Sequence, residues 1–177
     1  MPEQGGPYTR QRPHSQVRFV EQVIVSTECT RAWAHDGAHQ IEYARAGAGR
    51  TVLLLADSAE PGQRLPPLFC ELARRHRVIQ PMTVQAQGEL TDWLHGFLDA
   101  LGFRRVSLVA TPQQALAALQ FAMAEPDRID RLVLLTEGAP AERLVALSDR
   151  LAERQQALLV LAADSTGHQD ALTEFLE

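Results

Sequence analysis

Apolar positions along this chain change their spacing from segment to segment, and those changes mark its elements. Thr51 to Ala56 reads TVLLLA, a short uninterrupted apolar run bounded by Gly49 and by Pro61-Gly62. A run with no polar side predicts a central strand buried on both faces. Over Glu89 to Leu101 the spacing turns helical: Leu90, Trp93, Leu94, Phe97, Leu98 and Leu101 share one face, and Gly102 supplies the stop. The same two patterns alternate through the rest of the chain. Helices are predicted over Leu65 to His76, Pro112 to Ala124, Pro140 to Arg154 and Asp170 to Leu176, and strands over Arg77 to Gln80, Val106 to Ala110, Arg131 to Leu135 and Ala157 to Ala162. Ahead of them, Thr30 to His35 and Gln40 to Arg45 predict a hairpin turning at Asp36-Gly37, a pair suited to positive φ. Val17 to Ser26 mixes β-branched and polar residues and reads as a further strand.

Strands alternating with helices imply crossover connections, hence a mostly parallel, twisted α/β sheet with helices on both faces and an antiparallel edge from the first strands. At 177 residues the chain suits one domain, over 17–177. Residues 1–16, rich in Gly and Pro among polar neighbours, read as a mobile arm.

Composition narrows the chemistry. No apolar stretch reaches the length of about eighteen residues that a membrane span requires, and the first residues lack the apolar region of a secretory signal, so a cytoplasmic protein is expected. Cys29 and Cys70 stand far apart, without CxxC or paired histidines, and support neither a zinc site nor a disulfide framework. All 17 basic residues are arginine. Without lysine, Schiff-base chemistry and the common phosphate loop ending in Lys-Ser or Lys-Thr are both excluded. The arginines are interspersed with acids, and the net charge is −5, which argues against a nucleic-acid groove. No cofactor or metal is expected. Gly47-Ala48-Gly49 precedes a strand and does not lead from one into a helix, so it reads as a turn and not as a dinucleotide fingerprint.

The order of segments and several of their words resemble the α/β-hydrolase family. IEYARAGAGRTVLLL, RHRVIQP, LTDWLHGFLDALGFRRVSLVA and EPDRIDRLVLL are similar to the family's YREAG-strand, its RVIAPD segment, its helix leading to LxxVxLVGHSxGG, and its HPERVxRLVLL. The resemblance runs from Arg31 to Leu135 and implies the α/β-hydrolase fold. It fails at the loops where the family builds its active site. Ala56-Asp57-Ser58 replaces the His-Gly oxyanion loop, Pro81 to Gln87 replaces the PDxxGxG turn, and Ala110-Thr111-Pro112-Gln113-Gln114 replaces the nucleophile elbow G-x-S-x-G. After Leu135 only Thr136 to Gln156 connects to the next strand, room for one helix and no lid domain. The closing LLVLAADSTGHQDALTEFL aligns with either the acid-bearing strand, with Asp164 in that seat, or the last strand, with His168 in a Gly-His loop. Either way one strand of the family's set is missing.

The elbow can be judged on chemistry. The family's nucleophile sits in a strained turn with positive φ. Proline carries no nucleophile and fixes φ near −65°. Thr111 as N-cap, Pro112 at the first helical position and Gln114 at the third predict a relaxed helix start with a capping box. A working serine hydrolase is therefore not expected, and no catalytic residue is assigned. Weaker alternatives are a displaced site around Ser58 and His168, with Asp57 or Asp164, and a small-molecule sensor using the pocket at the strand ends. The first expectation is a catalytically silent accessory subunit or interaction module. Removing a strand and a lid leaves an open sheet edge and uncovered apolar surface, so a homo-oligomer or a protein partner is expected, with Phe19, Val23 and Val25 as contact candidates.

Overall fold

The computed structural model describes residues 29–36, 39–56, 67–82, 90–137, 142–153, 156–162 and 168–177. Among these, seven strands form one sheet: β1 (Thr30–Asp36), β2 (His39–Ala46), β3 (Thr51–Leu55), β4 (Arg77–Pro81), β5 (Val106–Ala110), β6 (Ile129–Thr136) and β7 (Ala157–Ala162). Their order is β1-β2-β4-β3-β5-β6-β7. β1 and β2 pair antiparallel, from Thr30 opposite Arg45 to Asp36 opposite His39, and β2 pairs antiparallel with β4. All later pairings are parallel. This is the expected mostly parallel sheet with an antiparallel N-terminal edge. The proposed strand Val17 to Ser26 and the arm 1–16 lie outside the described residues, as do Gly37 and Ala38 of the hairpin turn.

Side-chain alternation sorts the sheet's two faces. Leu53, Leu55, Leu108, Ala110, Leu132 and Leu134 meet α2 (Leu90–Ala100), α3 (Ala115–Ala124) and α4 (Glu142–Ala152) on one face. Val52, Leu54, Val109, Val133 and Leu135 meet α1 (Pro67–Leu72) and α5 (His168–Leu176) on the other. A register shift between Val106 and Leu108 against β6 lets Ile129 and Leu132 share the first face although they are three positions apart.

α2 shows how local sequence sets a boundary. Phe97 is fully buried, stacked on Trp93 at 5.5 Å and edge-on to Tyr43 at 5.8 Å. Gly102 adopts φ 73°, its amide donates to the Asp99 carbonyl at 3.0 Å and the Phe103 amide donates to Leu98 at 2.9 Å. These two bonds form a Schellman motif, closing the helix on the glycine the sequence marked. α1 is shorter than the predicted Leu65 to His76: residues 73–75 form a turn, and His76 leads straight into β4. Gly47, at φ 73°, lies against this stretch: an added Cβ would be 2.1 Å from the His76 carbonyl oxygen and 2.3 Å from that of Ala73. The glycine lets the β2–β3 turn press against the chain as it leaves α1.

The arginines gather at the amino ends of the parallel strands. Arg50 and Arg105 both contact Asp130, at 3.5 and 4.0 Å, Arg75 pairs with Glu177 at 3.0 Å, and Arg131 donates to the Leu176 carbonyl at 3.0 Å. Interspersed acids thus balance the basic residues, as the sequence pattern implied. One helix, α4, is described between β6 and β7, and no lid is seen among the described residues.

Candidate functional site

β3 and β5 lie side by side in the middle of the sheet, and the connections from their carboxyl ends part in opposite directions. β3 leads through α1 to β4 on one side, and β5 leads through α3 to β6 on the other. α1 and α3 cover opposite faces. This is the topological switch point at which open α/β sheets bind ligands. Ala56 and Thr111 stand there, one residue beyond the paired Leu55 and Ala110.

The turn after β5 is relaxed. Thr111 has φ −66° and ψ 164°, Gln114 φ −98° and ψ −5°, and Ala115 φ −58° and ψ −44°. The Thr111 amide donates to the Leu55 carbonyl at 2.9 Å, tying the start of the turn to β3. Two details correct the sequence expectation. The regular helix begins at Ala115 after a 3-10 turn over Pro112–Gln114, and neither Thr111 nor Gln114 makes a side-chain cap bond. The reason is a competition for one donor. The Gln114 amide, which a capping hydroxyl would accept, instead donates to Thr111's own carbonyl at 2.9 Å. The Thr111 hydroxyl is left buried without a hydrogen-bond partner. Gln113 is exposed.

One strand away on β4, Gln80 is fully buried, and neither end of its amide has a partner. It lies on the same face as Val78, next to Leu54 of β3 by the register of Leu53 with Ile79. Thr111 follows Val109 on that face, so two unpartnered polar groups flank the end of β3. Sequence reading missed Gln80, because a polar residue inside an apolar strand run carries no signal of what surrounds it. At the end of β6, the buried Thr136 hydroxyl donates to the Leu161 carbonyl at 3.3 Å.

Of the weak catalytic candidates, Asp57, Ser58 and Asp164 lie outside the described residues, and His168 is described only as the first residue of α5. Phe19, Val23 and Val25 also lie outside. Histidines with described side chains sit elsewhere: His35 on edge strand β1, His95 on the surface of α2 at 3.2 Å from Asp99 and 3.8 Å from Glu125, and His76 just before β4. The described residues therefore bring no imidazole to Thr111. Of the thiols, Cys70 is exposed, and burial, then the nearby Cys70, push half-buried Cys29 above its ordinary pKa.

His76 has a consequence for stability. Burial lowers its pKa from the ordinary 6.5. Arg75, Arg50 and Arg131 lower it further, and Glu177 opposes them. With the folded pKa depressed, the neutral form is native. Full stability holds above 6.5, and stability falls as the unfolded chain takes up its proton below that pH. We expect the denaturant midpoint to drop from pH 7 toward the acid side of 6.5, and His76→Leu to flatten that difference. An equal drop in the variant would exclude His76 as its source.

The architecture is that of known enzymes. A 2-hydroxy-6-oxo-6-phenylhexa-2,4-dienoate hydrolase from Rhodococcus sp. strain RHA1 matches with TM-score 0.51 and 20% identity, covering 69% of this chain and 54% of that one. A serine hydrolase involved in carbazole degradation matches with TM-score 0.54 and 23% identity, covering 64% and 50%. Naproxen esterase from Bacillus subtilis matches with TM-score 0.54 and 14% identity, covering 62% and 44%. The chain has the α/β-hydrolase fold, and it spans about half the length of these solved structures. No protein-family model matches it, and no curated protein matches it in sequence.

Proposed function

We propose that this chain is a catalytically silent relative of the α/β-hydrolase enzymes that serves as an accessory or structural subunit, a module for binding other proteins. The observation that carries this reading is the turn Ala110-Thr111-Pro112 at the end of β5. In the sequence resemblance it stands where the family has its nucleophile elbow; here Thr111 has extended dihedrals and Pro112 opens a 3-10 turn. Nucleophilic catalysis needs a side chain held near a base and pointed at the substrate carbon. Proline has no such group, and the Thr111 amide is already bound to Leu55. The named neighbours are hydrolases, so the fold is one that supports ester and related chemistry when its loops carry the groups for it.

The expected result is that purified protein takes no label from a fluorophosphonate probe and turns over short p-nitrophenyl esters no faster than a Pro112→Ala control. Pro112→Ser stays inactive as well, because Ala110 and Gln114 stand where the elbow needs glycines. Ester turnover abolished by Ser58→Ala would overturn the reading and establish the displaced site.

A second reading, binding of a small polar molecule, draws support from Gln80 and Thr111. Buried amide and hydroxyl groups without partners are costly, and a ligand at the switch point would supply partners. Metabolite-library binding followed by thermal shift distinguishes it: a ligand whose shift is lost in Gln80→Met favours this reading over the silent subunit.

A further inference from the structure

We propose that Cys29 and Cys70 are a redox-active thiol pair, oxidised by hydrogen peroxide to a reversible disulfide that ties the entry of β1 to α1. They are the chain's two cysteines, and they stand far apart in sequence. The fold carries both to one corner of the sheet. Both are free thiols, Cys70 on an exposed residue and Cys29 on a half-buried one, so a small oxidant can reach the pair.

Strand register places the first sulfur. Cys29 precedes Thr30, which pairs with Arg45 of β2, so one step further along it comes beside Ala46. The Arg45 backbone amide hydrogen-bonds the Cys29 sulfur. Cross-strand neighbours share a face, and Cys29 and Ala46 both pack against the cluster that holds Phe69 and Leu72 of α1. Helix phase places the second. Gly47, next after Ala46, lies against α1, where its added Cβ would be 2.3 Å from the Ala73 carbonyl oxygen. The Ala73 amide donates to the Phe69 carbonyl at 3.0 Å, keeping helical geometry, so Cys70 lies three residues back on the flank of Ala73. Phe69 and Leu72 point into the core, and at 100° per residue Leu68 and Glu71 take the opposite flank. The flank of Cys70 and Ala73 is therefore turned to the end of β2 and to β1 beyond it. Charge on Cys70 opposes charge on Cys29, as neighbouring anions do.

Exposure orders the chemistry. The Cys70 thiolate attacks peroxide: an S–O bond forms, the O–O bond breaks, and the departing hydroxide takes up the thiol's proton as water, leaving Cys70 a sulfenic acid. The Cys29 thiolate then attacks the Cys70 sulfur. The S–S bond forms, the S–O bond breaks, and a second hydroxide leaves as water with the Cys29 proton. Two thiols thus give two electrons and two protons to one peroxide, yielding one disulfide and two waters. Burial keeps Cys29 protonated and suits it to the second step. Arg31, which favours the Cys29 thiolate, stands opposite Ala44 of the same cluster and so on the same face, available when that proton leaves.

The full chain, reduced, desalted and treated with hydrogen peroxide, is digested with trypsin without further reduction. Cleavage after Arg18, Arg31, Arg64 and Arg74 gives peptides 19–31 and 65–74, each carrying one cysteine. Mass spectrometry is expected to find these two joined by a bond that dithiothreitol cleaves, formed about tenfold or more faster in native protein than in protein unfolded by guanidinium. Oxidation is expected to raise Tm by about 10 °C, and Cys70→Ser to abolish that rise. Cys29→Ser is expected to leave Cys70 as a sulfenic acid that dimedone labels; if that variant does not fold, the peptide map of the unaltered chain decides. Over-oxidation of Cys70 beside a free Cys29 thiol overturns the proposal. Disulfides formed only between chains, or equal rates in native and unfolded protein, overturn it as well. None of these readouts involves ester turnover or ligand binding, so the thiol pair and catalytic silence stand or fall separately.

Discussion

Gly47→Ala is expected to destabilise the protein by about 3 kcal/mol, lowering Tm by roughly 10 °C. Two costs combine at this position. An L residue at φ 73° enters the left-handed region, worth about 1 kcal/mol or somewhat more. The new Cβ would also sit 2.1 and 2.3 Å from the carbonyl oxygens of His76 and Ala73. These are backbone atoms at the end of α1 and the entry to β4, and they cannot swing aside as a flexible side chain would. Relieving the contact must shift the β2–β3 turn away from the helix, at a cost of overpacking in the range of about 1–3 kcal/mol. Gly102→Ala is the matched control. It has the same φ of 73° and no atom within 4 Å of the added Cβ, so it carries the backbone cost alone. Chemical denaturation of the two variants separates the effects, and equal losses would show that the close approach at Gly47 is not rigid.

Gln80→Met is expected to stabilise the protein, by about 1–2 kcal/mol. Gln80 is wholly buried between the β2 and β3 neighbours of β4, and both its amide oxygen and its amide nitrogen lack partners. Folding then strips the amide of water and returns nothing, whereas methionine has nearly the same length and no group to satisfy. The sign of the change is informative. Stabilisation means that the amide is a cost in the resting protein. Destabilisation means that it is satisfied in solution, and it would move the second reading, ligand binding at the switch point, ahead of the first. Thr111→Val probes the orphaned hydroxyl at the end of β5 in the same way, through the same denaturation measurement.

Local pattern alone determined much of this protein. β5 begins and ends where the run VSLVA does, because a central strand buried on both faces is apolar along most of its length, and β7 likewise matches the run ALLVLA. α2 ends at Gly102 because a helix terminus needs a residue that tolerates positive φ. That Pro112 opens a helical turn after β5 was also legible, since proline's ring settles φ without help from its surroundings.

Tertiary structure decided what depends on partners distant in sequence. The placement of β4 between β2 and β3, which creates the switch point at β3 and β5, is a matter of non-local hydrogen bonding that no local window contains. Gln80 reads as one polar residue in a strand, and only the packed sheet shows that nothing meets its amide. Gly47 reads as a turn glycine, and only the approach of α1 makes it a contact. The capping box at Thr111 and Gln114 was a sound local expectation. It failed because the bond from the Thr111 amide to Leu55 of β3 holds the chain in a tighter turn, in which the Thr111 carbonyl takes the amide that its hydroxyl would have accepted.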